Sequence, residues 1–525
     1  MKHHHSPLRP LDPARLLGIR RGIEKESLRV RPDAQLATTP HPPQLGAALA
    51  HPHITTDFSE SQIELVTGAH QRVEDCIDEL DRLHRFTLRE IGAEALWVSS
   101  MPGLLPADEQ QIPIGQYGSS NIGRAKTVYR HGLAHRYGRR MQTISGIHYN
   151  WSMPGLSSND YFALIRNFRR HSFLLLLLFG ASPAVDRSFV AGRHPLQPLG
   201  AHSLYLPHAT SLRMGRLGYQ SDAQAELCVS YNCLETYAAS LQGALTRPYG
   251  PYEAIGLQDA DGQYRQLSTS LLQIENEFYG TIRPKRVIRP GERPLHALRE
   301  RGVEYVEVRC MDLNPFLDLG IDAPTGRLID LFLLHCAFSD SPPDTSQEIA
   351  ELGHNQQLVA ARGREPGLCL RRQGRNVPLF DWAAQLLREC APYAEQMDAA
   401  QGGDAYRQAL AAAQAALRSP GTLPSARVLA AIGDDEDAGH VAFVRDRSAA
   451  VRAALLAQPL PAAELAHQQA LALDSLHEQA RIEAADTLDF ESFRQDYLSP
   501  VHLMPLAVSA ARRAEALDQN CNAPA

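Results

Sequence analysis

With 525 residues, 44% of them hydrophobic and 21% charged, the chain has the balance of a folded globular protein. It also has more length than one minimal core needs, so one large α/β domain with helical additions, or two domains, is expected. A formal net charge of -7 supplies no broad basic field, which argues against nucleic acid or an anionic membrane as the main partner.

Taken in chain order, the N-terminus "MKHHHSPLRP" lacks the apolar run of a secretion signal. Its three consecutive histidines have two readings, an expression scar or chance. Strand patterns follow at 19–30 and 54–67, then an amphipathic helix over 73–91, a strand over 143–152 and a helix over 161–179. The aliphatic run Leu174 to Leu178 inside that helix falls far short of the ~20 residues that cross a bilayer, so it reads as a buried turn. Residues 200–219 and the Pro/Arg-rich 282–294 read as long loops, and long loops are more often functional than idle. A strand is expected over 303–313. Beyond it the sequence turns rich in Ala, Leu, Gln and Arg at helical spacing, with helices over 326–344, 346–363, 379–400, 404–418 and 461–484. This organisation divides the chain into an N-terminal extension (1–17), a core (18–330), a mainly helical part packed on that core (331–514) and a tail (515–525). The eight cysteines, Cys76, Cys228, Cys233, Cys310, Cys336, Cys369, Cys390 and Cys521, are scattered without zinc-type spacing. Most are expected to be buried thiols. A disulfide between one pair stays open.

The chemistry is concentrated in the strands. In "GIEKESLRV" the two-residue period of a strand puts Glu24 and Glu26 on one face and Ile23 and Lys25 on the other. "HITTDFSESQIELVTG" supplies Asp57 at a turn and Glu64 within an apolar run. "TISGIHYNWSMP" alternates Ile147, Tyr149 and Trp151 with His148 and Asn150. "GVEYVEVRCMDLNPF" sets Val306, Val308 and Cys310 against Tyr305, Glu307 and Arg309. Each pattern alone has a bland reading: a wet strand edge for the glutamates, a hydrogen-bonded structural residue for the histidine. Four strands presenting acids or imidazole together make coincidence the poorer account. Gathered in one cleft, Glu24, Glu26, Asp57, Glu64 and Glu307 could not all stay ionised without cations. Oxygen ligands with one imidazole suit Mg²⁺ or Mn²⁺ rather than zinc. Arg309 is then the natural contact for a transferred phosphoryl group. The chain has no P-loop and no G-x-G-x-x-G, so a nucleotide must be held another way.

These blocks, with "QYGSSNIGRAKTVYRHGL", "ATSLRMGRLGY" and "LQIENEFYGTIRPKR", stand in the order found in the glutamate–cysteine ligases of the proteobacterial type. The resemblance is dense over 18–330 and looser in the helical tail. It implies an α+β fold, with a curved, mainly antiparallel sheet forming a funnel like that of glutamine synthetase, surrounding helices and a helical C-terminal region. It also implies an enzyme that uses ATP and Mg²⁺ (or Mn²⁺) to join L-glutamate to L-cysteine through γ-glutamyl phosphate, with glutathione as feedback inhibitor. From the N-terminus, charge and hydropathy the protein is expected to be cytoplasmic with neither nucleic acid nor membrane as partner, and it is expected to be a monomer.

By the same resemblance Glu24, Asp57, Glu64 and Glu307 match metal ligands, Glu26 with His148 completes another metal position with Glu307, and Arg309 faces the phosphoryl group. The cysteine pocket matches Tyr129, Leu133, Gln142, Ile144, Arg213, Tyr219 and Tyr279. Arginine can fork onto a carboxylate, while Leu133 and Ile144 offer an apolar wall. Lysine occurs only at Lys2, Lys25, Lys126 and Lys285. Lys126 and Lys285 lie inside the blocks, where a compact ammonium can meet phosphate or substrate charge. The chain departs from the family in carrying Lys25 for a usual arginine and "GSSN" for "GTSN". A related ligase with another amine acceptor, and a silent binding homologue, are the competing readings.

Overall fold

The computed structural model describes residues 10–218, 222–225, 227–433 and 439–505. Strands β1 (Arg20–Val30), β2 (Ile54–Thr56), β3 (Gln62–Val66), β4 (Ala95–Leu96) and β5 (Ile147–Ser152) are followed by three short ones, β6 (Ala184–Asp186), β7 (Gln197–Leu199) and β8 (Ser203–Tyr205). These three form a small sheet of their own. Then come β9 (Ile282–Lys285) and β10 (Tyr305–Met311). Among the described residues the main sheet runs β2-β3-β1-β5-β10-β9, with β4 pairing β1. Every pairing in it is antiparallel, and the sheet is open, with β2 and β9 as edges.

Two expected strands are cut shorter by turns. The 54–67 run becomes β2 and β3, with Asp57 in the connection, where its N–H donates to the Gln62 carbonyl at 3.1 Å. The 143–152 run begins with a 3-10 turn, Met141–Thr143. Part of 282–294, expected as loop, is β9. Proline is tolerated at an edge strand because one side of the ladder needs no donor. Pro284 has that position.

One face of the sheet is covered. Ile23, Tyr149, Val306 and Val308 are buried there. The helices Val73–Glu90, Ser158–His171 and Ala323–Phe338 pack over this side of the molecule. The last of these starts three residues earlier than expected, since Asp322 caps it and Pro324 fits the first turn. It packs in turn against Ala405–Arg418. The boundary expected at 330–331 falls within this helix. Among the described residues the main apolar core runs from Leu16 to Leu503 and includes Leu174 to Leu178, with two small apolar clusters beside it. Among the described residues no helix is long and apolar enough to cross a membrane.

Of the described cysteines, Cys76, Cys310, Cys336 and Cys390 are buried, and Cys228 and Cys369 are exposed. None of these is bonded to another, and neither is the partly exposed Cys233. Cys521 and the tail 515–525 lie outside the described residues.

Candidate active site

Strand register alone collects the charged side chains. Glu26 stands opposite Glu64, Glu24 opposite His148, and Glu307 opposite both Asn150 and Arg283. Directly opposed residues of an antiparallel pair share a face, so these seven point to the side away from Ile23 and Tyr149. Lys25, facing the other way, is buried with its ammonium 2.6 Å from His84 Nε2. The register of β10 slips between Val308 and Met311. Bulges of this kind re-aim side chains, and here Arg309 stays beside Glu307, its Nη1 3.1 Å from Glu307 Oε2.

The centre of the cluster is tight. Ligand atoms of Glu24, Glu64 and His148 lie within 4.8 Å of one another. His148 Nδ1 stands 3.1 Å from Glu24 Oε2 and 3.3 Å from Arg309 Nη1, so it can donate to the one or accept from the other but not both. Its Nε2 is 3.6 Å from Glu26 Oε1. Thus His148 contacts Glu24 as well as Glu26, and Asn150, which the sequence reading assigned no role, donates to Glu24 Oε1 at 2.8 Å. Glu26 is gripped from behind by the Gly146 N–H at 2.7 Å. Asp57 is held through its backbone: the Tyr117 hydroxyl reaches its carbonyl at 3.0 Å, and Arg130 Nε donates to the same oxygen. Tyr117 and Arg130 lie on the same block as Lys126, Tyr129 and Leu133.

The electrostatics are those of carboxylates short of countercharge. Burial, then the nearby Asp57, pushes Glu26 up to about 8. Burial with Glu24, Asp57 and Glu26 raises Glu64 well above the usual range. Glu24 ends below its ordinary value: burial and Glu307 push it up, and His148 and Lys285 more than offset them. Glu307, although buried, is held well below its ordinary value by Lys285, Arg309 and Arg283. Lys285 Nζ is 3.2 Å from Glu307 Oε1. Glu307 Oε2 makes no hydrogen bond among the described residues, although Arg309 and Arg283 stand 3.1 and 3.9 Å away. Lys126 lies 5.2 Å over the Tyr117 ring, and burial, then Arg130, brings it down to about 8 against the pull of Glu64. Crowded oxygen donors with one imidazole fit hard divalent cations.

The residues matched to the cysteine pocket lie to one side. Tyr129 and Leu133 sit a turn apart on the helix Asn121–Tyr137, whose N-cap is Ser120. Gln142 Nε2 donates to the Tyr279 hydroxyl at 3.1 Å. Leu133 and Ile144 are buried in the main core. Arg213 is buried, donates to the Arg309 carbonyl at 2.9 Å and stands 3.8 Å from Asp312. Its guanidinium lies so close over Gly146 that a Cβ there would fall 2.0 Å from Nη2. Arg213, Tyr279 and Arg309 line one cavity of about 250 Å³. Tyr219 lies outside the described residues.

An open antiparallel sheet with acids and imidazole at its centre and arginine and lysine at their rim defines the class: a site whose groups could hold a divalent cation and a polyanion. The family described as glutamate–cysteine ligase matches residues 10–359. A glutamate–cysteine ligase of Azotobacter vinelandii is 49% identical over 91% of this chain and 94% of its own length. One from Pseudomonas putida is 48% identical with the same coverage. The crystal structure of the Francisella tularensis glutamate–cysteine ligase, solved in complex with AMP, superposes with a TM-score of 0.87 at 35% identity, covering 92% of this chain and 97% of that one. A bifunctional glutathione synthetase from Pasteurella multocida, at 24% identity and a TM-score of 0.68, shares the fold over 88% of this chain and 57% of its own. The chain belongs to the glutamate–cysteine ligase family, and its enzymatic class is that of a ligase.

Proposed function

We propose that this chain joins the amine of L-cysteine to the γ-carboxylate of L-glutamate at the expense of ATP, giving γ-glutamylcysteine, ADP and phosphate. The observation that carries the reading is the Glu24, Glu64 and His148 cluster, closed by Arg309, on the sheet of a chain matched by the family over residues 10–359. In the first step an oxygen of the γ-carboxylate bonds to the γ-phosphorus as the β,γ-bridging bond breaks, yielding γ-glutamyl phosphate and ADP. In the second the cysteine nitrogen bonds to the acyl carbon, phosphate leaves, and the nitrogen loses a proton.

Glu24, Glu26, Asp57, Glu64, His148 and Glu307 are the residues that would hold Mg²⁺ or Mn²⁺. Bound there, the metal offsets the repulsion between a carboxylate and a polyphosphate. Arg309 faces the transferred phosphoryl group, and Lys285 and Lys126 add charge at the rim. Arg213 takes the carboxylate of cysteine, Gln142 and Tyr279 bind its polar atoms, and Tyr129, Leu133 and Ile144 complete the wall. The same reading includes a monomeric cytoplasmic enzyme with residues 18–330 as catalytic core, inhibited by glutathione.

The test is ADP release across a panel of amines with Mg²⁺ present. Release that depends jointly on glutamate and cysteine is expected. ADP formed with another amine and poorly with cysteine would replace the acceptor, and no turnover would point to a silent binding protein.

A further inference from the structure

The block "LQIENEF" holds a buried carboxylate that the reaction does not use. Glu277 is fully buried, and three donors converge on it. Arg136 Nη1 reaches Oε1 at 2.8 Å with both side chains shut off from solvent, the Tyr137 hydroxyl donates to the same oxygen at 2.8 Å, and the Gln273 N–H donates to Oε2 at 2.6 Å. Arg136 and Tyr137 close the helix Asn121–Tyr137, which carries Tyr129 and Leu133. Glu277 lies two residues before Tyr279. One carboxylate therefore joins the two walls of the pocket assigned to the amine substrate.

Two glutamines complete the joint. Gln224 Nε2 donates to the Glu277 carbonyl at 2.9 Å and to the Tyr137 hydroxyl at 3.2 Å, while its Oε1 accepts from the Tyr279 N–H at 3.1 Å. Gln273 Nε2 donates to the Tyr129 carbonyl at 3.3 Å. Gly132 lets that contact form, because a Cβ there would fall 2.2 Å from the Gln273 amide. The Tyr137 and Tyr279 rings meet edge to face, 5.7 Å apart. Each bond in this set spans the helix wall and the turn wall or braces one of them.

We propose that Glu277, with Gln224 as its brace, is a positioning residue that sets the gap between Tyr129 and Tyr279 and so fixes recognition of the amine acceptor without touching it. This rests on the assignment of Tyr129, Leu133 and Tyr279 to the cysteine pocket. Loss of the keying charge widens or skews the gap, whereas the Glu24, Glu64 and His148 cluster, anchored on β1, β3 and β5, keeps its geometry. A displacement near 1 Å costs up to about 100-fold in such sites.

The experiment measures KM for cysteine, glutamate and ATP separately in Glu277→Gln, Gln224→Leu and the double variant Arg136→Met/Glu277→Gln. Glu277→Gln alone strands a buried guanidinium and lowers the melting temperature; removing both charges restores much of it. The expected result is a rise of about 10- to 100-fold in KM for cysteine in the double variant as well, with KM for ATP and glutamate within about twofold. A smaller rise of the same kind is expected in Gln224→Leu. Recovery of cysteine KM together with stability in the double variant, or parallel rises for all three substrates, would overturn the proposal. Tyr279→Phe is run alongside. No change in its cysteine KM overturns the pocket assignment and the positioning role with it, whereas a rise there with none in the Glu277 variants overturns the positioning role alone.

Discussion

Arg21 on β1 and Asp330 on the helix Ala323–Phe338 form an ion pair at 2.9 Å with both side chains fully excluded from solvent. The hydroxyls of Tyr149 and Tyr406 each donate to the same carboxylate at 3.0 Å. The four side chains bind the back of the catalytic sheet to the helix Ala405–Arg418, far from the reacting groups. Burial leaves Asp330 above its ordinary value even though Arg21 beside it pulls it down. Asp330→Asn should cost about 3–5 kcal/mol, the usual penalty for leaving one member of a buried pair without its partner. Denaturant unfolding checks this. Below its melting point the variant should keep cysteine KM within about twofold, since no pocket residue touches the network.

His440 is buried beneath Trp97, their ring centroids 6.2 Å apart, with Ser99 Oγ 3.3 Å from its Nε2. Burial lowers it to about 4, against ~6.5 in an unfolded chain. Between those values the unfolded chain holds the extra proton, so stability is complete above about pH 6.5 and falls as pH drops toward 4. The loss is about 1.4 kcal/mol per pH unit. His440→Gln should therefore show a flatter fall in melting temperature than the parent over that window, measured calorimetrically in parallel scans. Equal slopes for the two proteins would assign the acid sensitivity to other groups.

The strands of the site were legible because one face of each is buried. In β1, β5 and β10 the apolar set Ile23, Tyr149, Val306 and Val308 recurs every second residue, so the alternate Glu24, His148 and Glu307 had to share the other face. Lys25 was placed on the covered face by the same parity, and it lies there. What the pattern did not give is anything fixed by pairing between distant segments. Asn150 shares the His148 face by parity, but its bond to Glu24 depends on the pairing of β1 with β5, and Arg283 joins the cluster only because β9 places it opposite Glu307. β9 looked like loop since its proline is permitted by an edge position invisible in one sequence. The strands of the small sheet are three residues each, too short for alternation to register. The helix expected over 161–179 stops at His171 and resumes at Phe173, although the apolar run gives no break. Glu277 read as one more acid in "IENE", because its partners lie at 136, 137 and 224.

The centre of the site gives the last prediction. His148 touches both Glu24 and Glu26, and Arg309 meets both His148 and Glu307, so these side chains form one connected unit. Glu24→Gln keeps the shape and the Asn150 hydrogen bond but removes the charge, and His148→Ala empties the middle. Each should lower turnover by more than ~100-fold, since even the partners of metal ligands are worth 10- to 100-fold. The Glu24 side chain is partly exposed at the cleft, so melting temperature without Mg²⁺ should hardly fall in Glu24→Gln, whereas His148→Ala removes a buried ring and should lower it modestly. In Glu24→Gln it should rise with Mg²⁺ less than in the parent. Arg309→Met should differ in kind: the Mg²⁺ shift persists, while single-turnover formation of ADP from glutamate and ATP slows. Parent-like turnover in Glu24→Gln and His148→Ala would remove those residues from the metal site, and an unchanged first step in Arg309→Met would remove the guanidinium from phosphoryl transfer.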